Sequence, residues 1–166
     1  GTVLDYAHGK RWREHPFAMG PVNKSLPRQP RKSGRFEAMP FVQVPAFCQS
    51  LKERESMGRL ALEALILTAA RSGEIRLACW SELDLDAGLW MVPAERMKAG
   101  RTHVVPLSAP AVAVFKRAQE LRRAGTDLVF PGTKRNRPLS DMTLLKVLRD
   151  MELPVTVHGF RSAFRD

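Results

Sequence analysis

The sequence predicts an α+β fold, mostly α-helical, with a three-stranded antiparallel β-sheet set between helices. Three observations predict it. Residues 43–54 and 57–70 read as helices; in the second, Leu60, Ala64 and Leu67 share a face, with Ala61, Leu65 and Thr68 adjoining it. Residues 83–86, 89–94 and 103–107 form three short β-prone runs, joined by Asp86-Ala87-Gly88 and Lys98-Ala99-Gly100-Arg101. Such short turns allow only antiparallel neighbours. Residues 109–123 then return to helical spacing, with Val112, Phe115, Ala118 and Leu121 facing inward.

The remaining elements follow in order. Residues 2–7 show an apolar helical pattern with no N-cap before them, which reads as the end of a helix begun upstream. Between 15 and 40 stand Pro16, Pro21, Pro27, Pro30 and Pro40, with Gly20 and Gly34. No helix or inner strand survives that density of breakers, so the stretch reads as an extended linker. Phe130-Pro131-Gly132 breaks the chain after the 109–123 helix. Ser140 is expected to cap a helix running to about Asp150, and Pro154 to end that region. A last helix is expected over residues 158–166.

Charge narrows the partners. Lys and Arg number 27 against 17 Asp and Glu, a formal charge of +10. That excess points to a polyanion, or else serves solubility. Residues 1–40 hold eight Lys/Arg against three acids, +5 of the +10. A basic linker suits a chain that wraps a duplex and releases counterions from its phosphates; it also suits a solvated tether. Lys24, Arg28, Arg31 and Lys32 are its candidate backbone contacts. No apolar run approaches the roughly 20 residues a bilayer span needs, so no membrane role is expected. Cys48 and Cys79 lie in apolar contexts without CxxC spacing and read as buried thiols of a reducing compartment. The four histidines are scattered, and no metal site is expected.

Three local patterns carry chemistry. In Thr68-Ala69-Ala70-Arg71-Ser72-Gly73-Glu74-Ile75 a hydrophobic helix runs into an arginine, a small-residue turn and an acid. The pair reads either as a buried Arg–Glu bridge or as a guanidinium held ready for an anion. The second pattern is a hairpin whose loop carries Arg96, Lys98 and Arg101. It is either a finger for a phosphate backbone or a solvated tip. In Val157-His158-Gly159-Phe160-Arg161-Ser162-Ala163-Phe164, His158 and Arg161 share one helical turn and can both donate to phosphate oxygens. Phe160 and Phe164 are expected to anchor that turn in the core.

In this order the patterns resemble the catalytic domain of tyrosine recombinases, in particular phage integrases of the P4-like group. Arg71 with Glu74 matches the family's first catalytic arginine and the acid three positions later. Lys98, within MKAGRTHVVPLS, matches the lysine of the second β-turn. His158 and Arg161 match the HxxR box. VLDYAHGKRWR resembles the end of the helical core-binding domain. The resemblance thus implies three parts: residues 1–14 as the tail of that domain, 15–40 as the linker, and 41–166 as the catalytic domain. The family's third His or Trp and its nucleophilic tyrosine have no counterpart among these residues. Tyr6, the one tyrosine, sits in the N-terminal helix and reads as a packing residue.

The resemblance implies site-specific recombination of double-stranded DNA at attachment sites, by a prophage or genomic-island integrase. The reaction is metal-independent phosphoryl transfer through a 3′-phosphotyrosyl intermediate, with no cofactor. It implies a bacterial cytoplasmic protein whose full-length form self-assembles on DNA. Arg71, Lys98, His158 and Arg161 would be catalytic and Glu74 orienting, and this chain by itself would not cleave. Competing readings are a non-catalytic DNA-binding module, a regulatory domain whose charge serves solubility, and an enzyme related to type IB topoisomerases.

Overall fold

A computed structural model describes residues 2–16, 37–97, 100–134 and 136–165. The chain divides into two units, residues 1–33 and 34–166.

In the first unit, helix α1 spans Thr2–Gly9. It ends where Arg11 turns to positive φ (57°) and the Trp12 amide donates to the Ala7 carbonyl at 2.9 Å. Tyr6 packs edge-on against Trp12 with ring centroids 6.0 Å apart, and the Lys10 ammonium lies 5.6 Å from the Tyr6 ring. Tyr6 is therefore a packing residue of this helix end, as expected, with its ring still largely in solvent.

The second unit is organised around one buried helix. Helix α2 is Val44–Leu51, α3 is Met57–Thr68 and α4 is Ser72–Arg76. Strands β1 (Leu83–Asp84), β2 (Leu89–Val92) and β3 (His103–Pro106) follow. Helices α5 (Ala109–Glu120), α6 (Thr143–Asp150) and α7 (Gly159–Arg165) complete it. The α+β, mostly helical fold class read from the sequence is the one observed. Among the described residues no helix is long and apolar enough to cross a membrane.

Ser56 starts α3 by accepting the Arg59 amide at 3.2 Å, an N-cap that satisfies one orphan donor. From Leu60 to Ile66 no residue of α3 faces solvent: Leu60, Ala61, Leu62, Glu63, Ala64, Leu65 and Ile66 are all buried. The sequence pattern assigned α3 one apolar face. Because α5 and α6 pack on it as well as α2, α4 and α7, it is covered all round. Glu63 is tolerated there because Lys52 (3.6 Å) and Arg117 (3.4 Å) neutralise it.

The sheet has the order β1-β2-β3 and is antiparallel throughout, pairing Leu83 with Trp90, Trp90 with Val105, and Val92 with His103. Asp84 accepts the Ala87 amide at 2.8 Å, and Gly88 takes φ +67° to close the first turn. Trp90 and Val92 are buried, and Trp90, Phe115 and Phe130 form a run of neighbouring rings at 6.3 and 5.9 Å.

Several expectations need correction. The strands are shorter than read: a turn over residues 85–88 takes the end of the first, and a 3-10 turn at Ala94–Arg96 takes the end of the second. The inward stripe of α5 is Ala111, Val114, Phe115 and Ala118. Leu121 lies past the helix end and is 40 % exposed. Ser140 is not the N-cap of α6: its hydroxyl meets that of Thr143 at 2.9 Å, and a turn precedes the helix. Cys48 is buried as expected, but Cys79 is only partly so. Burial lifts the Cys48 thiol to about 11, with Glu63 adding to the effect. Phe160 anchors α7 by stacking on Phe47 at 5.5 Å, whereas Phe164 is 65 % exposed.

Candidate active site

The C-terminal end of α3 is where the site is built. The helix stops at Ala69, which adopts a left-handed conformation (φ 50°, ψ 25°). Its carbonyl turns sideways and accepts a hydrogen bond from Nη1 of Arg161, a residue 92 positions later. Arg71 then lies in extended backbone (φ −78°, ψ 152°) as the residue before α4. The small-residue turn expected at 72–73 is the start of that short helix. Both guanidiniums thus gather at the carboxyl end of α3, where the helix dipole favours cations.

Glu74 holds Arg71 twice. One carboxylate oxygen accepts the Arg71 backbone amide at 2.8 Å and the other accepts Nη1 of its guanidinium at 2.7 Å. The carboxylate is 7 % exposed, while the Arg71 side chain is 52 % exposed. Burial alone would raise the Glu74 carboxyl. The two bonds from Arg71, with the charges of Arg71 and Arg161, outweigh it and hold the group below the ordinary glutamate value. Glu74 stays ionised, and Arg71 keeps one edge fixed and the rest facing solvent.

A cleft of about 370 Å³ opens between these groups. Thr68, Ala69, Ala70, Arg71, Glu74, Met97, His103, Val105 and Arg161 line it. Of the residues singled out in the sequence, the structure brings Arg71, Glu74 and Arg161 to this cleft. His158 is exposed, stands just before α7, and is not among the lining residues. Lys98 lies outside the described residues. Its neighbour Met97 is in the cleft wall, and the Gly100 amide donates to the Met97 carbonyl at 2.9 Å across the turn. Lys24, Arg28, Arg31 and Lys32 also lie outside the described residues. Arg101 is exposed.

Arg96 does not project from the hairpin as a backbone contact would. Its guanidinium turns inward, forms an ion pair with Glu82, and donates to the Glu74 carbonyl at 3.4 Å. Glu82 also accepts the Trp90 indole N–H at 3.1 Å. This network joins the base of the β2–β3 hairpin to α4. Other cations are committed internally too: Arg59 to the end of α2, Arg76 to the Leu139 carbonyl and Arg123 to the Gly132 carbonyl. Part of the +10 charge is therefore structural.

Two features of the site were missed in the sequence. The Ala69 carbonyl has no sequence signal, because alanine is uncommon at positive φ. His103 had one: alternation along β3 puts it on the same face as Val105.

Residues 37–165 match the phage integrase family model. The chain belongs to the phage integrase family. It is 38 % identical over 138 residues to the prophage integrase IntZ of Escherichia coli strain K12, covering 81 % of this chain and 34 % of that protein. It is 31 % identical over 153 residues to the integrase of Enterobacteria phage P4, covering 81 % and 35 %. This integrase-family chain thus spans about a third of the length of those relatives. Among solved structures, residues 75–356 of lambda integrase, bound as a dimer to a COC′ core site, match with a TM-score of 0.67 at 20 % identity. The match covers 98 % of this chain and 62 % of that one. XerA recombinase matches at 0.65 and 19 % identity, covering 87 % and 53 %. The fold is that of the tyrosine-recombinase catalytic domain.

Proposed function

We propose that this chain supplies the phosphate-holding part of a site-specific integrase that recombines double-stranded DNA through a 3′-phosphotyrosyl intermediate. The observation that carries the reading is the convergence of Arg71 and Arg161, 90 residues apart, on one cleft with Glu74 buried beneath. Two guanidiniums over a cleft fit a phosphodiester, whose non-bridging oxygens accept paired N–H bonds.

In this mechanism a tyrosine hydroxyl attacks phosphorus and gives its proton to His158, the P–O5′ bond breaks, and a proton reaches the leaving O5′ from Lys98. Charge accumulates on the non-bridging oxygens in the transition state. Fixed donors there are worth on the order of 2.7–4 kcal/mol each in enclosed sites. Arg71 and Arg161 clamp those oxygens, Glu74 orients Arg71, and His158 adds a hydrogen bond. The energy of the broken bond is retained in the phosphotyrosyl link, so a second strand's hydroxyl can reverse the step. Tyr6 belongs to the other unit and is not assigned as nucleophile; residues 1–166 taken alone are proposed to hold phosphate without cutting it. Residues 15–40 are proposed as the basic linker, and the full-length protein as self-assembling on attachment-site DNA in the bacterial cytoplasm.

The test is covalent adduct formation by the full-length integrase on nicked attachment-site DNA, read on a denaturing gel. Arg71→Ala is expected to abolish the adduct while binding of DNA persists. Undiminished adduct from that variant would sink the proposal.

A further inference from the structure

We propose that His103 is a further DNA ligand of the cleft, its imidazole donating a hydrogen bond to a non-bridging oxygen of the phosphate held by Arg71 and Arg161. The inference rests on the phosphoryl-transfer reading above and adds a residue to it.

Strand geometry places the side chain. β3 pairs Val92 with His103 and Trp90 with Val105. Residues directly opposite in an antiparallel pair point to the same face, as do residues two apart on one strand. Val92, Trp90 and Val105 are all buried. His103 is therefore on the inner face of the sheet, opposite the solvent face marked by Met91 and Val104. Yet His103 is exposed, because at the end of β3 the inner face overhangs the cleft instead of the core. A solvated surface histidine would be expected on the other face.

The bonding of its neighbours singles it out. Among the other polar residues of the lining, the Thr68 hydroxyl is used by the Ala64 carbonyl at 2.7 Å. Arg71 is partly engaged by Glu74, and Arg161 by the Ala69 carbonyl. Among the described residues the His103 side chain makes no hydrogen bond or ion pair. A polar ring directed into a cationic cleft, with its N–H unspent, is suited to an incoming anion. As a flat donor on a short stem it can approach an oxygen from the sheet side, across from the two guanidiniums.

The experiment uses full-length integrase and a nicked duplex bearing the half-site read from the junctions of the integrated element. Single-turnover adduct rates at saturating protein are compared for wild type, His103→Ala, His103→Gln and Arg71→Ala, with Kd measured by anisotropy. His103→Ala is expected to slow adduct formation about tenfold, less than the 10²–10³ typical of a fully enclosed donor because the site is open. Its Kd should stay within about threefold, since most affinity comes from other phosphates. His103→Gln keeps an N–H donor and should recover most of the rate. On a duplex with a methylphosphonate at the cleaved position, the His103→Ala loss should shrink to under about twofold for one diastereomer, because the accepting oxygen is gone. A His103→Ala rate within twofold of wild type overturns the inference, as does an equal loss on phosphate and both methylphosphonates. If Arg71→Ala is inert while His103→Ala is normal, only the His103 inference fails. If Arg71→Ala also cleaves normally, the reading beneath it fails.

Discussion

Replacing Glu74 by glutamine removes one charge and almost no volume, so its cost isolates the electrostatic hold on Arg71. The wild-type carboxylate accepts two bonds, from the Arg71 amide at 2.8 Å and from its guanidinium at 2.7 Å. Glutamine offers one oxygen, and its NH₂ group must face whichever donor is left. One charge-assisted bond is lost, which costs about 1.5–3 kcal/mol in a buried setting. Arg71 is half exposed, so solvent screening lowers the expected cost to about 1–2 kcal/mol. With a urea m-value of about 2 kcal/mol/M, the unfolding midpoint should fall by roughly 0.5–1 M at pH 7 and m should not change. The pH dependence has a definite sign. The folded Glu74 carboxyl lies below its ordinary value, so its contribution is complete above the unfolded pKa and is lost as pH falls through the folded one. The gap between wild type and Glu74→Gln should be full above about pH 5 and narrow steadily below about pH 4. A midpoint shift under about 0.2 M at pH 7, or a gap that does not change between pH 7 and pH 3, would refute the reasoning.

Three further outcomes follow from packing. Phe160→Ala leaves a cavity beside Phe47 and should cost about 3–5 kcal/mol by urea titration, releasing the helix that carries Arg161. Gly159→Ala puts a Cβ against the backbone carbonyl of Glu37 and 2.9 Å from Ala38 Cα, neither of which is a movable side-chain end. Overpacking of that kind should cost about 1–3 kcal/mol, seen as a lower Tm in calorimetry. Arg96→Met leaves the largely buried Glu82 carboxylate with only the Trp90 indole and the Cys79 amide. That should destabilise the chain by about 3 kcal/mol, whereas an Arg96 that served only as an exposed DNA contact would give a stability change near zero.

The legible parts of this chain were those set by local chemistry. Apolar spacing located α3 and α5, and short turns forced the antiparallel meander. The Arg71–Glu74 spacing anticipated a real bond, because three residues at a helix start bring a side chain back to the preceding amide. What was not legible depends on long-range packing. Arg96 was read with its hairpin loop, but Glu82 draws it inward from 14 residues away. Phe164 has the same spacing as a core residue, yet α7 turns it outward. The buried face of α3 was underestimated, since periodicity within one helix does not show how many neighbours will cover it.

The lodging of Arg161 on the Ala69 carbonyl has a consequence for synthesis. During translation α3 and Arg71 emerge some ninety residues before Arg161 does. Until α7 leaves the ribosome and Phe160 stacks on Phe47, the end of α3 presents a single guanidinium and an unclaimed carbonyl oxygen. A nascent or prematurely terminated chain therefore holds an unfinished grip, and the cleft acquires its second cation only after the rest of its walls are in place.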